Sequence, residues 1–171
     1  SMQVDLKDQT ELLRDLRLAV SRGELALVYQ PKVDARNLQI TAAEALVRWH
    51  HPQRGLISPT VFIPLAERFG LIGPIGNWVI EEACRQAGVW RRAGLHMRVA
   101  INISAYQMRQ DDLVDRLQAA LTANGLSASR FTCEITESVA MEDTKVTHRS
   151  FDRMRRAGLH VSIDDFGVGQ A

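Results

Sequence analysis

Cysteine is scarce in this chain of 171 residues: only Cys84 and Cys133 occur, and their separation matches no zinc-ligand spacing. Cys84 falls in a helical pattern and Cys133 in a strand-like run, so both read as buried, reduced thiols. No apolar run is long enough to span a bilayer, and the first residues do not read as a signal peptide. The expected location is the cytoplasm, as a free domain or as the cytoplasmic part of a larger multidomain or membrane protein. Ser1-Met2 reads as a cloning remnant ahead of an internal start. Neither sign of charge is in excess, with 21 Lys and Arg against 20 Asp and Glu. No global field therefore favours a nucleic-acid polymer or an anionic membrane, and an anionic ligand must be met by locally placed Arg or Lys. Low-complexity stretches are absent. What remains is 46% hydrophobic and 24% charged, the profile of one globular core.

Leu6, Leu12, Leu13, Leu16 and Val20 fall near helical spacing with Gly23 as a stop, which makes residues 1–23 a lead-in helix ahead of a domain spanning 24–171. Residues 25–33 and 39–49 read as strands joined by the turn Asp34-Ala35-Arg36-Asn37, hence an antiparallel hairpin. Ser58-Pro59 then opens a helix over about 60–68. Helices over about 75–93, 111–123 and 144–157 alternate with strands over 97–103, 131–136 and 160–163. That alternation predicts parallel strands with helical crossovers. Arg92-Ala93-Gly94-Leu95-His96 is echoed by Arg156-Ala157-Gly158-Leu159-His160, where Gly ends a helix and Leu re-enters the core.

Polar residues interrupt these strands at informative places. Glu44 lies inside the second strand with Leu46 and Arg48 on its own face, by the period of two. Asn102 closes Val99-Ala100-Ile101, Glu134 lies within residues 131–136, and Asp164-Asp165 ends Val161-Ser162-Ile163. A carboxylate inside an apolar strand is costly unless it is paired or bound to a cation. One such residue means little, but four successive strands carrying them near their C-terminal ends fall where α/β domains place sites. Carboxylate and amide oxygens suit Mg²⁺ or Mn²⁺. The adjacent aspartates suit a two-ion site for displacement at phosphorus, with Asp164 bridging and Asp165 on the second ion. Arg48 has two readings that stand level on spacing alone, a phosphate contact or an ion pair with a strand-end carboxylate. No histidine is recruited: His50 and His51 read as a loop pair, and His96, His148 and His160 as surface or turn residues.

Glu44-Ala45-Leu46-Val47-Arg48 resembles the motif that names the EAL family. Tyr29-Gln30-Pro31, Phe62-Ile63-Pro64-Leu65-Ala66-Glu67, Asn102-Ile103-Ser104, Glu134-Ile135-Thr136-Glu137 and Asp164-Asp165-Phe166-Gly167 follow in the family's order and approximate spacing. The resemblance implies an α/β fold, an incomplete (β/α)₈ TIM-like barrel with an antiparallel first strand. It implies hydrolysis of cyclic-di-GMP to linear pGpG with two Mg²⁺ or Mn²⁺ ions. Glu44, Asn102, Glu134 and Asp164 match the family's first-metal ligands, and Asp164 and Asp165 its second-metal ligands. Glu137 matches a glutamate that steadies a catalytic loop, and Gln30, Leu46 and Arg48 match substrate contacts. Read alone, Glu137 equally suits a solvated strand end and Gln30 a bulge or edge position.

After Asp164-Asp165-Phe166-Gly167 the family usually continues Thr-Gly-Tyr-Ser-Ser, whereas here Val168-Gly169-Gln170-Ala171 follows. A closed barrel of this type needs roughly 250 residues and eight strands. This length of chain is therefore expected to carry the N-terminal two-thirds of the domain, to be weak or inactive as an enzyme, and to form a homodimer through exposed barrel edges. The competing expectation is a non-catalytic module that binds cyclic-di-GMP or a protein.

Overall fold

The computed structural model describes residues 2–164, with side chains from Leu6 to Ile163. Helix α1 (Met2–Ala19) leads into strands β1 (Leu25–Val33) and β2 (Ile40–His51), which pair antiparallel as expected. A short β3 (Gly55–Ile57) folds back on the end of β2. Helices α2 (Pro59–Arg68) and α3 (Ile72–Arg92) precede β4 (Arg98–Asn102). Then come α4 (Ala105–Met108), α5 (Leu113–Ala123), β5 (Phe131–Thr136), α6 (Glu137–Ala140), α7 (Lys145–Arg156) and β6 (His160–Asp164). The sheet runs β1-β2-β4-β5-β6, with β3 beside β2. From β2 onward that path is parallel, each crossover being helical. Among the described residues no helix is long and apolar enough to cross a membrane.

The termini of the helices follow local chemistry. The side chain of Ser58 accepts a hydrogen bond from the Thr60 amide, and Pro59 opens α2, where its missing N–H costs nothing. Gly94 and Gly158 both adopt φ 85°, the left-handed conformation that ends α3 and α7, so the two echoed segments are the same turn. Helix α3 starts at Ile72, three residues ahead of the expected start, because Gly73 and Pro74 sit in its first turn, where proline is tolerated.

One face of the sheet is dry. Val99 and Ile101 of β4 and Phe131, Cys133 and Ile135 of β5 pack with Ile80, Ala83, Cys84 and Ala87 of α3 and with Leu113 and Leu117 of α5. The helical residues recur at the three- and four-residue spacing of a single stripe. Both cysteines are free within this core, and burial pushes each thiol up to about 12, which keeps it protonated and unreactive. A second core joins Leu12, Leu16 and Ala19 of α1 to Trp49, to Phe62 and Leu65 of α2, and to Ile72 and Ile75 at the start of α3.

The expectation of a loop at His50-His51 is corrected. Pairing with β3 extends β2 through both histidines, with His51 opposite Gly55. His51 is buried; its Nδ1 accepts from the amides of Gln53 and Arg54, so Nε2 carries the proton and donates to Asp15 Oδ2 at 2.7 Å. His51 thereby ties α1 to the β2–β3 turn. This hydrogen bond holds the Asp15 carboxyl below its ordinary 3.8. A carboxyl depressed on folding stabilises the protein above its unfolded pKa, and that share is lost as pH falls through the folded pKa. Asp15→Asn is expected to lower stability at neutral pH, with the gap to wild type closing as pH falls below about 4. Urea unfolding between pH 3 and 7 checks this, and a gap independent of pH would refute it.

Candidate functional site

The register of the strands decides which polar residues meet. Gln30 lies opposite Glu44, Glu44 opposite Ala100, and Asn102 opposite Glu134. These positions alternate with the buried core residues of β4 and β5, so Glu44, Asn102 and Glu134 share the sheet face turned away from the helices. Asn102 stands two residues beyond the partner of Glu44 and Asp164 two beyond the partner of Glu134, while Asn102 and Glu134 are level, so the polar set climbs across the sheet in the sense that barrel stagger requires.

The contacts confirm the gathering. Asn102 Nδ2 donates to Glu44 Oε2 at 3.3 Å. Lys32 Nζ donates to Glu134 Oε2 at 3.1 Å and lies 3.8 Å from Glu44 Oε1. Both carboxylates are largely buried, with side-chain exposures of 15% for Glu44 and 10% for Glu134. Asn102 Oδ1 is buried with no hydrogen-bond partner among the described residues. Such an oxygen costs free energy unless something donates to it or a cation binds it, and its residue touches Glu44 and stands opposite Glu134 in the sheet. That chemistry fits a hard divalent ion. The described part of the donor set is two carboxylates and one amide; no cluster of three or more His, Cys, Asp or Glu side chains occurs among the described residues. Asp164 enters only through its backbone, paired with Thr136 at the register position two beyond Glu134. The side chain of Asp164, and Asp165 altogether, lie outside the described residues.

The remaining candidates stand around this group. Leu46 is buried, and Arg48 donates through Nη1 to the Val47 carbonyl at 2.9 Å. Both line a cavity of about 480 Å³ that Asn102 also borders, walled opposite by Ile63 and Pro64 of α2 and by Ile72 and Ile75 of α3. Glu67 sits at its rim, where burial raises the carboxyl above the usual glutamate value. Gln30 is exposed in β1 opposite Glu44, clear of the irregularity between Lys32 and Val33. Glu137 is not at a strand end: β5 stops at Thr136, whose hydroxyl caps α6, and Glu137 is the first residue of that helix. None of the five histidines joins the site: His96 and His160 are exposed, and His148 pairs with Asp143 at 3.0 Å.

Two further residues join the candidate site, Lys32 beside the carboxylates and Gln107 at the cavity. Lys32 shares the Gln30 face by the period of two, so it was findable as a cation two residues from a candidate contact. Gln107 completes a capping box with Ser104, the Ser-x-x-Gln signature readable at residues 104–107. Its buried side chain lines the cavity and accepts from the Ser104 amide at 3.0 Å, which fixes the turn directly after Asn102. Gly76 makes room for it, since a Cβ there would stand 2.3 Å from Gln107 Nε2. In an ordinary helix interior Gly→Ala gains up to about 1 kcal/mol. Here the clash with a capped, buried amide reverses the sign, and Gly76→Ala is expected to cost about 1–2 kcal/mol net. An unchanged or raised denaturation midpoint would contradict this.

The EAL domain family model matches residues 13–171. The bifunctional diguanylate cyclase/cyclic di-GMP phosphodiesterase MucR of Pseudomonas aeruginosa is 45% identical over 170 residues, which is 99% of this chain and 25% of MucR. The oxygen sensor protein DosP of Escherichia coli is 39% identical over 170 residues, 99% of this chain and 21% of DosP. The chain thus spans a quarter or less of these relatives. The structure of the PaMucR phosphodiesterase in its c-di-GMP complex superimposes with a TM-score of 0.87 at 46% identity, covering 94% of this chain and 66% of that one. The open parallel sheet with its antiparallel β1 is accordingly part of a TIM-barrel-like fold. The chain belongs to the EAL domain family.

Proposed function

We propose that this chain carries the metal-binding and substrate-binding part of a phosphodiesterase that hydrolyses cyclic-di-GMP to linear pGpG. The observation that carries the reading is the convergence of Glu44, Asn102 and Glu134 from three adjacent parallel strands, with Asn102 Oδ1 left without a partner among the described residues. Glu44, Asn102, Glu134 and Asp164 would hold a first Mg²⁺ or Mn²⁺, and Asp164 with Asp165 a second. When bound, such ions supply an activated water and neutralise charge at the phosphoryl oxygens.

The chain's own residues supply positioning. Arg48 borders the cavity, and its guanidinium can turn from the Val47 carbonyl to a phosphate oxygen, a charge-assisted hydrogen bond. Leu46 and the α2–α3 wall offer an apolar surface to a base or ribose, and Gln30 offers an amide from the neighbouring strand. Glu137, at the start of α6, would brace the loop beyond the site.

A second reading has its own support. Lys32 already neutralises part of the carboxylate charge, as a site that binds cyclic-di-GMP without cutting it would permit. Calorimetry with cyclic-di-GMP separates the two, since the enzyme reading requires metal-dependent binding and turnover. Among the described residues β1 and β6 end the sheet without a further strand. The 171-residue chain by itself is therefore proposed to pair with a second copy and to hydrolyse cyclic-di-GMP feebly. Light scattering that finds a stable monomer would rule out the pairing, and fast turnover abolished by Asp164→Ala would rule out the feeble activity.

A further inference from the structure

We infer that Lys32 is a built-in counter-cation of the ligand group, one that holds Glu44 and Glu134 together without metal and lowers the affinity of the site for a divalent ion. The inference rests on the metal-site reading above and adds a residue to it. Lys32 bridges the two carboxylates, at 3.1 Å from Glu134 and 3.8 Å from Glu44. It reaches them because its strand partner is Ala42, a small residue two positions from Glu44 on the same face. The register shift between Lys32 and Val33 follows at once, and irregularities of this kind re-aim side chains beside sites.

Two largely buried carboxylates that share one ammonium repel each other, and that ammonium offsets the cost. A divalent ion would do the same work more strongly, but an ammonium and a metal ion in the same space repel one another. Metal binding therefore has to move the ammonium. The Lys32 side chain is 43% exposed, against 15% and 10% for its partners, so it has solvent to retreat into. Lys32 is a positioning residue in this scheme and touches no reacting atom.

The experiment is calorimetric titration of Mn²⁺ into the 171-residue chain, its Lys32→Met and Lys32→Arg variants, and Glu44→Gln. Lys32→Met, which keeps the apolar stem and loses the charge, is expected to bind Mn²⁺ tighter by on the order of tenfold. Its metal-free form is expected to melt below wild type, and Mn²⁺ to raise its Tm by more than it raises the wild-type Tm. Lys32→Arg retains the charge and should bind close to wild type. A purely structural lysine would leave Mn²⁺ affinity unchanged or weaken it when removed, and either result in a folded Lys32→Met overturns the inference alone. Lys32→Gln decides the same point should the methionine variant not fold. Absence of Mn²⁺ binding in every variant, or binding that survives Glu44→Gln undiminished, overturns the metal-site reading and this inference with it.

Discussion

Glu44→Ala is expected to lower cyclic-di-GMP hydrolysis by at least about a hundredfold, which is the upper end of what losing even an indirect partner of a metal ligand costs. The loss should appear whether turnover is measured in this chain or in a longer one that carries further strands. Glu44 is the central contact of the group: it accepts from Asn102 Nδ2 and lies beside Lys32. Removing it takes away one donor oxygen set and frees the Asn102 amide to turn. Stability should change far less, because Lys32 keeps its closer partner Glu134 and the excised side chain sits on the face away from the core. Full activity in Glu44→Ala, or a collapse of the fold, would each sink the assignment. The first outcome would remove Glu44 from the ligand set, and the second would make it a structural residue.

Much of this fold was legible because its signals are local. The period of two put Glu44, Leu46 and Arg48 on one face, and glycine ended α3 and α7 where it stood. Polar residues in otherwise apolar strands grouped Glu44, Asn102 and Glu134, and the structure then set Asn102 in contact with Glu44 and opposite Glu134, although Glu44 lies within β2 and not near its end. What escaped was short or depended on partners distant in sequence. β3 is three residues long, too short for any periodicity, yet it turns His50-His51 from an expected loop into strand. Burial of His51 depends on Asp15, which lies 36 positions earlier on another element.

The candidate site was legible in its oxygens and not in its cation. Strand-end acids are conspicuous because a carboxylate in an apolar run contradicts its surroundings. A lysine in the exposed half of an edge strand contradicts nothing, and only the position of its ammonium beside two carboxylates sets Lys32 apart. Gln107 escaped for a related reason. Its Ser-x-x-Gln pattern was present, but α4 has only four residues, and a capping box there gains meaning only from Gly76 packed against it.

Trp49→Ala is expected to have the opposite profile to Glu44→Ala, with a large loss of stability and little direct effect on the affinity for metal. Trp49 is fully buried on the far face of β2. Its ring meets Phe62 edge-on at 5.6 Å and lies 5.5 Å from His51, and its Nε1 donates to Glu24 Oε1 at 2.9 Å. Truncation leaves a cavity where α1, β2 and α2 meet, at a cost of about 3–5 kcal/mol. That is a large share of the roughly 5–15 kcal/mol by which domains are stable, and it corresponds to a fall in Tm of roughly 10 °C. Trp49→Phe retains most of the ring volume but not the indole donor, so it should cost clearly less, with the remainder set by the bond to Glu24. Below its own melting range Trp49→Ala should still bind Mn²⁺ as wild type does, because Glu44, Asn102 and Glu134 lie on β2, β4 and β5 facing away from this core. Cyclic-di-GMP should bind more weakly, because Phe62 and Ile72 of the same core support the helices that supply Ile63, Pro64 and Ile75 to the cavity wall. Denaturant unfolding and paired titrations test both halves. Unfolding within about 1 kcal/mol of wild type would mean that the second core collapses around the gap, at odds with the cost expected of a rigid site. A loss of Mn²⁺ affinity in the folded variant would mean that the two faces of β2 are coupled rather than independent.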